Sequence, residues 1–96
     1  MMVLVTYDVD FKDKSAAKRL RRVAKLCENI GQRVQKSVFE MIVEPAQLVT
    51  LKTNLLRTID MEKDSVRIYL LGANWERRVE HYGVKPVYEQ NKPIIL

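Results

Sequence analysis

The feature that most restricts the fold of this chain is the order in which helical patterns and short apolar runs alternate. Two segments carry apolar residues at the four-and-three spacing of an amphipathic helix, and four extended apolar runs accompany them. The order is strand, helix, strand, strand, helix, strand. By the split βαβ rule it predicts a ferredoxin-like α+β sandwich, in which a four-stranded antiparallel sheet carries both helices on one face.

The first strand and the first helix are predicted within residues 3–30. Residues 3–9 form a mostly apolar run with several β-branched residues, which is typical of a buried strand. Ser15 suits the N-cap of the helix because its hydroxyl can accept a free backbone N–H, and Gly31 is expected to end the helix in a left-handed conformation. The apolar face of this helix consists of Ala16, Leu20, Val23, Cys27 and Ile30.

The second half of the fold is predicted in the same way. Residues 33–43 exceed the usual length of one strand, so we expect two strands joined by a tight turn near Lys36 and Ser37. Pro45 suits the first position of the second helix. The apolar residues of that helix are Leu48, Leu51, Leu55 and Ile59. A polar turn over 60–64 and a fourth strand over 66–71 complete the pattern.

Residues 1–72 are therefore predicted to form the ferredoxin-like core domain, and residues 73–96 a C-terminal extension. The extension ends in Ile94, Ile95 and Leu96, and an apolar tail of this kind needs cover. It either packs on its own sheet or adds a strand to a second copy of the chain. We favour the second arrangement because the edge strands otherwise lie open, so the sequence predicts a homodimer.

The composition is that of a small globular domain. A chain of 96 residues, 47% of them hydrophobic, can enclose one core. No apolar run is long enough to cross a bilayer, the N-terminus lacks the pattern of a secretory signal, and the single cysteine cannot form an internal disulfide. We therefore expect a cytoplasmic protein that has no membrane partner.

Positive charge is concentrated in one part of the chain. The net charge is +5, and nine of the 17 basic residues fall between positions 12 and 36. They are Lys12, Lys14, Lys18, Arg19, Arg21, Arg22, Lys25, Arg33 and Lys36. Such a cluster is typical of a surface that binds a polyanion, although a solvated helix face would have the same pattern.

Asp8, at the end of the first predicted strand, is the candidate metal ligand. Mg²⁺ takes oxygen ligands and keeps several waters, so one or two carboxylates are enough to hold it. If a dimer axis passes nearby, two copies of Asp8 would supply a pair. The alternative interpretation is an aspartate that accepts hydrogen bonds from neighbouring backbone N–H groups.

Other residues carry weaker signals. Arg33 could bind a phosphate through two N–H groups or form a surface salt bridge, and Phe39 alternates inward like a core residue. Arg77 and Arg78 follow Trp75 in a predicted loop, a position that suits contact with a nucleic-acid backbone. The chain has no phosphate-binding glycine loop, no zinc cluster and no aromatic signature of an RNA-recognition motif.

Three segments together resemble the CRISPR-associated protein two family, the small partner of the integrase in spacer acquisition. They are Leu4-Val5-Thr6-Tyr7-Asp8-Val9, then Arg33-Val34-Gln35-Lys36-Ser37-Val38-Phe39-Glu40, and finally Val66-Arg67-Ile68-Tyr69. The Tyr-Asp strand end followed some 25 residues later by Arg-x-Gln-x-Ser-Val-Phe-Glu is the specific part of this resemblance.

The resemblance implies a metal-dependent endonuclease of antiviral defence that acts on single-stranded RNA or on duplex DNA. It places the metal ligand on Asp8, with Tyr7 beside it, and the other site residues on Arg33 and Phe39. The cofactor would be Mg²⁺, or Mn²⁺. Basic residues early in the first helix also belong to the family pattern, and the choice among Lys18, Arg19 and Arg21 stays open.

The resemblance further implies a homodimer that bridges two integrase dimers while duplex DNA lies across it. Contacts with the DNA backbone are expected from Lys12, Lys14, Lys18, Arg19, Arg21, Arg22, Arg77 and Arg78. Two alternatives to this adaptation nuclease remain: a structural DNA-binding scaffold in which hydrolysis is incidental, and a ribonuclease toxin of similar fold.

Overall fold

The computed structural model describes residues 1–10 and 12–83. In chain order the elements are β1 (Met2–Val9), α1 (Ala16–Glu28), β2 (Gln32–Gln35), β3 (Val38–Ile42), α2 (Pro45–Thr58), β4 (Asp64–Gly72) and a 3₁₀ turn (Trp75–Arg77). The strands form one antiparallel sheet in the order β2-β3-β1-β4. This arrangement confirms the predicted ferredoxin-like fold, including the turn at Lys36 and Ser37.

The sheet has two faces, which we call the helix face and the open face. Because successive side chains of a strand point to opposite sides, Val3, Val5 and Tyr7 of β1 are buried on the helix face. Leu4, Thr6 and Asp8 alternate with them and lie on the open face. Each residue of β1 lies on the same face as its cross-strand partners, so the register also shows which residues of β3 and β4 lie on each face.

The core lies between the sheet and the helices. Phe39, Met41 and Val43 continue the buried layer of β1, and α1 covers β1, β2 and β3. The buried apolar residues of the helices are Ala16, Leu20, Val23, Ala24 and Cys27 of α1 and Leu48, Leu51 and Leu55 of α2. Most of the predicted apolar helix positions are therefore confirmed as core positions, while Ile30 and Ile59 pack against the core in partly buried positions.

The predictions at the two ends of α1 differ in outcome. Ser15 occupies the N-cap position as predicted, but its hydroxyl makes no capping hydrogen bond and instead contacts Asp13 and Arg19. The prediction for Gly31 is wrong. Gly31 does not adopt a positive φ angle. It is required for a different reason: a Cβ at this position would collide with the carbonyl oxygen of Glu40 and the side chain of Met41. The chain at Gly31 thus runs against β3 more closely than any other residue type permits.

The second helix begins as predicted. Pro45 occupies its first turn, and a capping box precedes it, in which the backbone N–H of Glu44 donates to Gln47 Oε1 at 2.8 Å. The fourth strand is longer than predicted, because Asp64 belongs to the strand and not to the turn before it. That difference matters for the site described below.

Past β4, the described chain continues to Gly83. Residues 73–96 are the predicted C-terminal extension that contributes to a dimer, and the part of it from 84 to 96 lies outside the described residues. Among the described residues, no helix combines the length and the apolar character that crossing a membrane requires.

Candidate functional site

Asp8 lies at the C-terminal end of β1, on the open face, with its side chain exposed. Within residues 1–10 and 12–83, its carboxylate takes part in no hydrogen bond or ion pair. The interpretation of Asp8 as an acceptor of local backbone N–H groups is therefore not supported there. Asp10 does behave in that way, because its Oδ1 accepts a hydrogen bond from the backbone N–H of Lys12 at 3.0 Å. Asp8 is thus an acceptor without a partner among the described residues, at the C-terminal end of the interior strand β1.

Tyr7 lies on the other side of the sheet, although it is the neighbour of Asp8 in sequence. Its side chain is 2% exposed and its hydroxyl donates to Asp64 Oδ2. Burial and this hydrogen bond raise the pKa of Tyr7 well above its ordinary value. The expectation that Tyr7 stands beside the metal ligand is therefore not met by the geometry of the single chain, in which the sheet separates the two side chains.

Arg19 forms the centre of the polar cluster that holds Tyr7. Its Nε donates to Asp64 Oδ2 at 2.8 Å and its Nη2 donates to Asp13 Oδ2 at 2.7 Å. The residue is 8% exposed, and the side chain of Asp64 is fully buried. Because its guanidinium is held between two carboxylates of its own chain, Arg19 is removed from the set of residues expected to contact nucleic acid.

The electrostatics of this cluster follow from its hydrogen bonds. Arg19 and the backbone N–H of Ser15 lower the pKa of Asp13 to about 2. Burial opposes the ionisation of Asp64, but hydrogen bonds from Arg19 and Tyr7 hold the pKa of this carboxyl below its ordinary value. The carboxyl groups of Asp13 and Asp64 therefore both stay ionised across the neutral range. The cluster ties the loop after β1 to the start of β4 and to α1.

Arg33 and Phe39 also lie on the helix face. The register pairs them across β2 and β3, and the Arg33 guanidinium carbon lies 5.6 Å from the centre of the Phe39 ring. Arg33 Nε donates to the carbonyl of Lys36 at 2.8 Å, and its Nη1 is 3.9 Å from Glu28. Phe39 is 0% exposed, so in the described chain it acts on a ligand only by supporting Arg33.

Several elements nevertheless meet at the end of the sheet where Asp8 lies. The backbone N–H of Tyr7 donates to the carbonyl of Ser37 at 3.0 Å, which brings the turn between β2 and β3 to this end. On the opposite side of β1, Asp8 pairs with Ser65 and Thr6 pairs with Arg67. Ser65 and Arg67 therefore share the open face with Asp8, a placement that a sequence motif without a strand register does not reveal.

The exposed basic residues that the sequence predicts as nucleic-acid contacts divide between two parts of the molecule. One group follows the strand end that carries Asp8: Lys12 and Lys14 are in the loop after β1, and Lys18 is near the start of α1. The exposed side of α1 continues this group with Arg21, Arg22 and Lys25. Arg77 and Arg78 follow Gly72, which pairs with Met2 at the opposite end of the sheet. Arg78 also donates to the carbonyl of Leu71 at 2.7 Å.

The open face itself is mixed in character. Ile42 and Tyr69 are exposed there, and the half-buried Glu40 lies next to Ile42 on β3 and across Leu4 from Tyr69. Burial raises the pKa of Glu40, and the charge of His81 opposes that rise. At the edge of the sheet, β4 is nine residues long and 56% of Leu70 is exposed. Such an edge and face are suited to covering by another chain.

The oxygen ligands near Asp8 limit the kind of metal ion that can bind there. Within the described part of the chain, no group of three or more His, Cys, Asp or Glu side chains is placed to enclose an ion. Mg²⁺ does not need such a cage, because it retains waters and can be held through one or two carboxylates. One free carboxylate, with the Ser65 hydroxyl on the neighbouring strand, fits a hydrated ion of this kind and does not fit zinc.

The family model described as CRISPR associated protein Cas2 matches residues 1–79. The chain belongs to the Cas2 family. The family predicted from the three sequence segments is thereby confirmed.

Curated Cas2 proteins match this chain along its whole length. "CRISPR-associated endoribonuclease Cas2" of Nitratidesulfovibrio vulgaris is 55% identical and covers 100% of this chain and 94% of its own length. "CRISPR-associated endonuclease Cas2" of Halalkalibacterium halodurans is also 55% identical, with 100% of both chains covered. These family members are thus named as nucleases, one of them specifically for RNA.

Solved structures agree with the fold. The crystal structure of Streptococcus pyogenes Cas2 at pH 6.5 superposes with a TM-score of 0.78 at 59% identity, covering 86% of this chain and 100% of that one. A hypothetical protein from Thermus thermophilus gives a TM-score of 0.72 at 33% identity, covering 92% and 96% of the two chains. The ferredoxin-like arrangement is therefore shared across these relatives.

Proposed function

We propose that this Cas2 protein is a metal-dependent nuclease of CRISPR adaptation, which works as a homodimer and cleaves phosphodiester bonds in RNA or duplex DNA. The observation that carries the proposal is the state of Asp8: an exposed carboxylate at a strand end, without a partner among the described residues. A free carboxylate next to the basic loop that follows β1 is suited to bringing a divalent cation to a phosphate. The names of the curated relatives support the reaction class.

In the proposed reaction Asp8 holds Mg²⁺ or Mn²⁺ on the open face. When bound, such an ion lowers the pKa of a coordinated water and offsets charge on the phosphodiester. The exposed lysines and arginines of the loop after β1 and of α1 bind flanking phosphates and fix the register of the nucleic acid. Arg33, supported by the ring of Phe39, is proposed to contribute a further phosphate contact at the same end of the sheet.

A second copy of the chain completes the proposed site. One Asp8 gives a single carboxylate, whereas two copies facing each other would supply the pair that holds a hydrated ion more firmly. The long edge of β4 and the partly apolar open face are the surfaces that the second copy would cover. Residues 73–96 are proposed to contribute to this interface and to binding of the integrase.

A structural role is the second candidate, and one observation favours it. Among the described residues, Asp8 is the one carboxylate at its end of the open face, and Tyr7 and Arg33 lie on the other side of the sheet. This is a small set of groups for hydrolysis. In the structural role, the dimer bridges integrase subunits and binds duplex DNA through its basic surface, and Asp8 is dispensable for integration.

The proposal is tested by cleavage assays on an RNA and a duplex DNA of the same sequence. Wild type should cut at least one of them with Mg²⁺ or Mn²⁺ and stop on addition of EDTA, and Asp8→Asn should lose the activity. Glu62→Gln is the matched control, because Glu62 is an exposed carboxylate in the turn before β4, near the same end of the sheet. An Asp8→Asn protein that cuts as fast as wild type would disprove the assignment.

A separate assay distinguishes the structural role. Spacer integration is measured with the integrase and either wild type or Asp8→Asn. Full integration with Asp8→Asn, together with loss of integration when residues 84–96 are removed, would favour the bridging function over hydrolysis in the cell.

A further inference from the structure

Arg67 shares the open face of the sheet with Asp8. The antiparallel register pairs Asp8 with Ser65 and Thr6 with Arg67, so Arg67 is a diagonal cross-strand neighbour of Asp8. Diagonal neighbours of this kind are separated by roughly 7–8 Å, which is within reach of a long side chain. The exposure pattern of β4 agrees, since Ser65 and Arg67 are exposed while Val66 and Ile68 alternate toward the helices.

The guanidinium of Arg67 has little to bind within its own chain. Its Nη1 donates to the hydroxyl of Tyr69 at 3.3 Å, and no ion pair within residues 1–10 and 12–83 involves it. An arginine has five N–H donors, so most of its hydrogen-bonding capacity is left for a ligand. Arg19 is the opposite case, because two carboxylates of the chain already hold its guanidinium.

The other arginines are less well placed for a phosphate at Asp8. Arg33, the other arginine found in the described strands, lies on the helix face, and α1 with its basic residues packs on that same side. Arg77 and Arg78 follow the end of β4 that is remote from Asp8. A phosphodiester that reaches Asp8 on the open face, at the cleft between the two proposed copies, therefore lies on the same side of the sheet as the side chain of Arg67.

We propose that Arg67 binds the phosphate of the nucleic-acid strand that is presented to Asp8. The planar guanidinium can donate two parallel hydrogen bonds to the phosphate oxygens, which fixes the position of the linkage as well as attracting it. This inference rests on the proposed nuclease site, because it adds the anion-binding group that a metal-holding carboxylate by itself lacks. The ligand class is a nucleic-acid phosphodiester.

The test compares Arg67→Gln and Arg67→Lys with Arg57→Gln. Arg57 is an exposed arginine near the end of α2, so its substitution removes the same charge from a surface that has no assigned role. Binding of a fluorescent RNA and a fluorescent duplex is measured in EDTA, where no metal contributes. Cleavage is measured separately with Mg²⁺, and the mass of each variant is measured by light scattering.

Arg67→Gln is expected to raise the Kd for the cleaved substrate about tenfold and to lower the slope of log K against log salt by about 0.9, the value for one phosphate contact. Arg67→Lys should recover part of the affinity, because a lysine keeps the charge but not the paired donors. Arg57→Gln should bind as wild type does.

Two results would overturn the inference. If Arg67→Gln binds and cleaves like wild type while Asp8→Asn is inactive, Arg67 has no part in a site that otherwise stands. If Arg67→Gln changes the mass of the particle from dimer to monomer, its role is in the interface between copies and not in phosphate binding. Loss of binding by Arg67→Gln combined with full cleavage by Asp8→Asn would instead reject the proposed metal site and retain the phosphate site.

Discussion

Tyr7 and Asp8 are consecutive residues of β1, but their side chains lie on opposite faces of the sheet. Tyr7 is buried among Arg19 and Asp64, whereas Asp8 is exposed on the open face. The separation follows from the two-residue repeat of a β-strand. It divides the Tyr-Asp motif into a residue that holds the fold together and a residue that is available to a ligand.

This division predicts different effects for substitutions at the two positions. Tyr7→Phe removes a buried hydrogen bond to Asp64 and should lower the free energy of unfolding by about 1–2 kcal/mol, while cleavage at a temperature where the protein is folded is retained. Asp8→Asn should leave the urea midpoint close to that of wild type and abolish cleavage. Urea unfolding and cleavage rates of both variants check this, and a Tyr7→Phe protein that is stable but inactive would contradict it.

Arg19 and Arg21 provide a matched pair on one helix. Arg19→Met should lower the midpoint of urea unfolding, because Asp13 and Asp64 lose their shared cation, whereas the exposed Arg21→Met should unfold as wild type does. Nucleic-acid binding should show the reverse pattern: Arg21→Met should bind with a weaker salt dependence than wild type, and Arg19→Met should keep the salt dependence of wild type. Equal salt slopes for wild type and Arg21→Met would exclude Arg21 as a phosphate contact.

The salt dependence of binding tests the basic surface as a whole. If about six phosphates are neutralised, affinity should fall on the order of 10³-fold between about 50 and about 200 mM salt. Fluorescence anisotropy with a labelled duplex measures this directly. A flat response would mean that the exposed side of α1 does not bind nucleic acid.

How far the sequence predicts this structure differs from feature to feature. The element order was enough for the topology, because the split βαβ connection permits few alternatives. The burial of Arg19 could also have been read from its spacing, since it stands three residues after Ala16 and four before Val23, on the apolar side of α1. The role of Asp64 could not, because its partners are distant in sequence and meet only through the pairing of β1 with β4.

Gly31 shows a further limit of sequence reasoning. A glycine after a helix usually marks a left-handed end, but here the helix ends at Glu28 and the glycine allows contact with β3. Gly31→Ala should therefore lower the free energy of unfolding by about 1–3 kcal/mol through overpacking against Glu40 and Met41. Urea unfolding measures the change, and an unchanged midpoint would mean that β3 moves aside at little cost.

The carboxylates of Asp13 and Asp64, which share the Arg19 guanidinium, make stability depend on acidic pH. The pKa of Asp13 falls from an ordinary value of 3.8 to about 2, and that of Asp64 is also lowered. A carboxyl whose pKa is lower in the folded state stabilises the fold above its unfolded pKa, and this contribution is lost as pH falls through the folded value. Wild type should therefore lose stability from about pH 4 down to about pH 2, and Asp13→Asn should show a shallower loss. Thermal unfolding of both proteins across this pH range measures the effect, and identical pH profiles for wild type and Asp13→Asn would contradict this.

The central claim is that the free carboxylate of Asp8 is the residue that recruits the divalent ion. Titration of the protein with Mn²⁺, followed by the electron paramagnetic resonance signal of free Mn²⁺, measures this without nucleic acid or turnover. Wild type and Glu62→Gln should both take up Mn²⁺, and Asp8→Asn should lose that uptake. Binding of Mn²⁺ by Asp8→Asn as tightly as by wild type would contradict it.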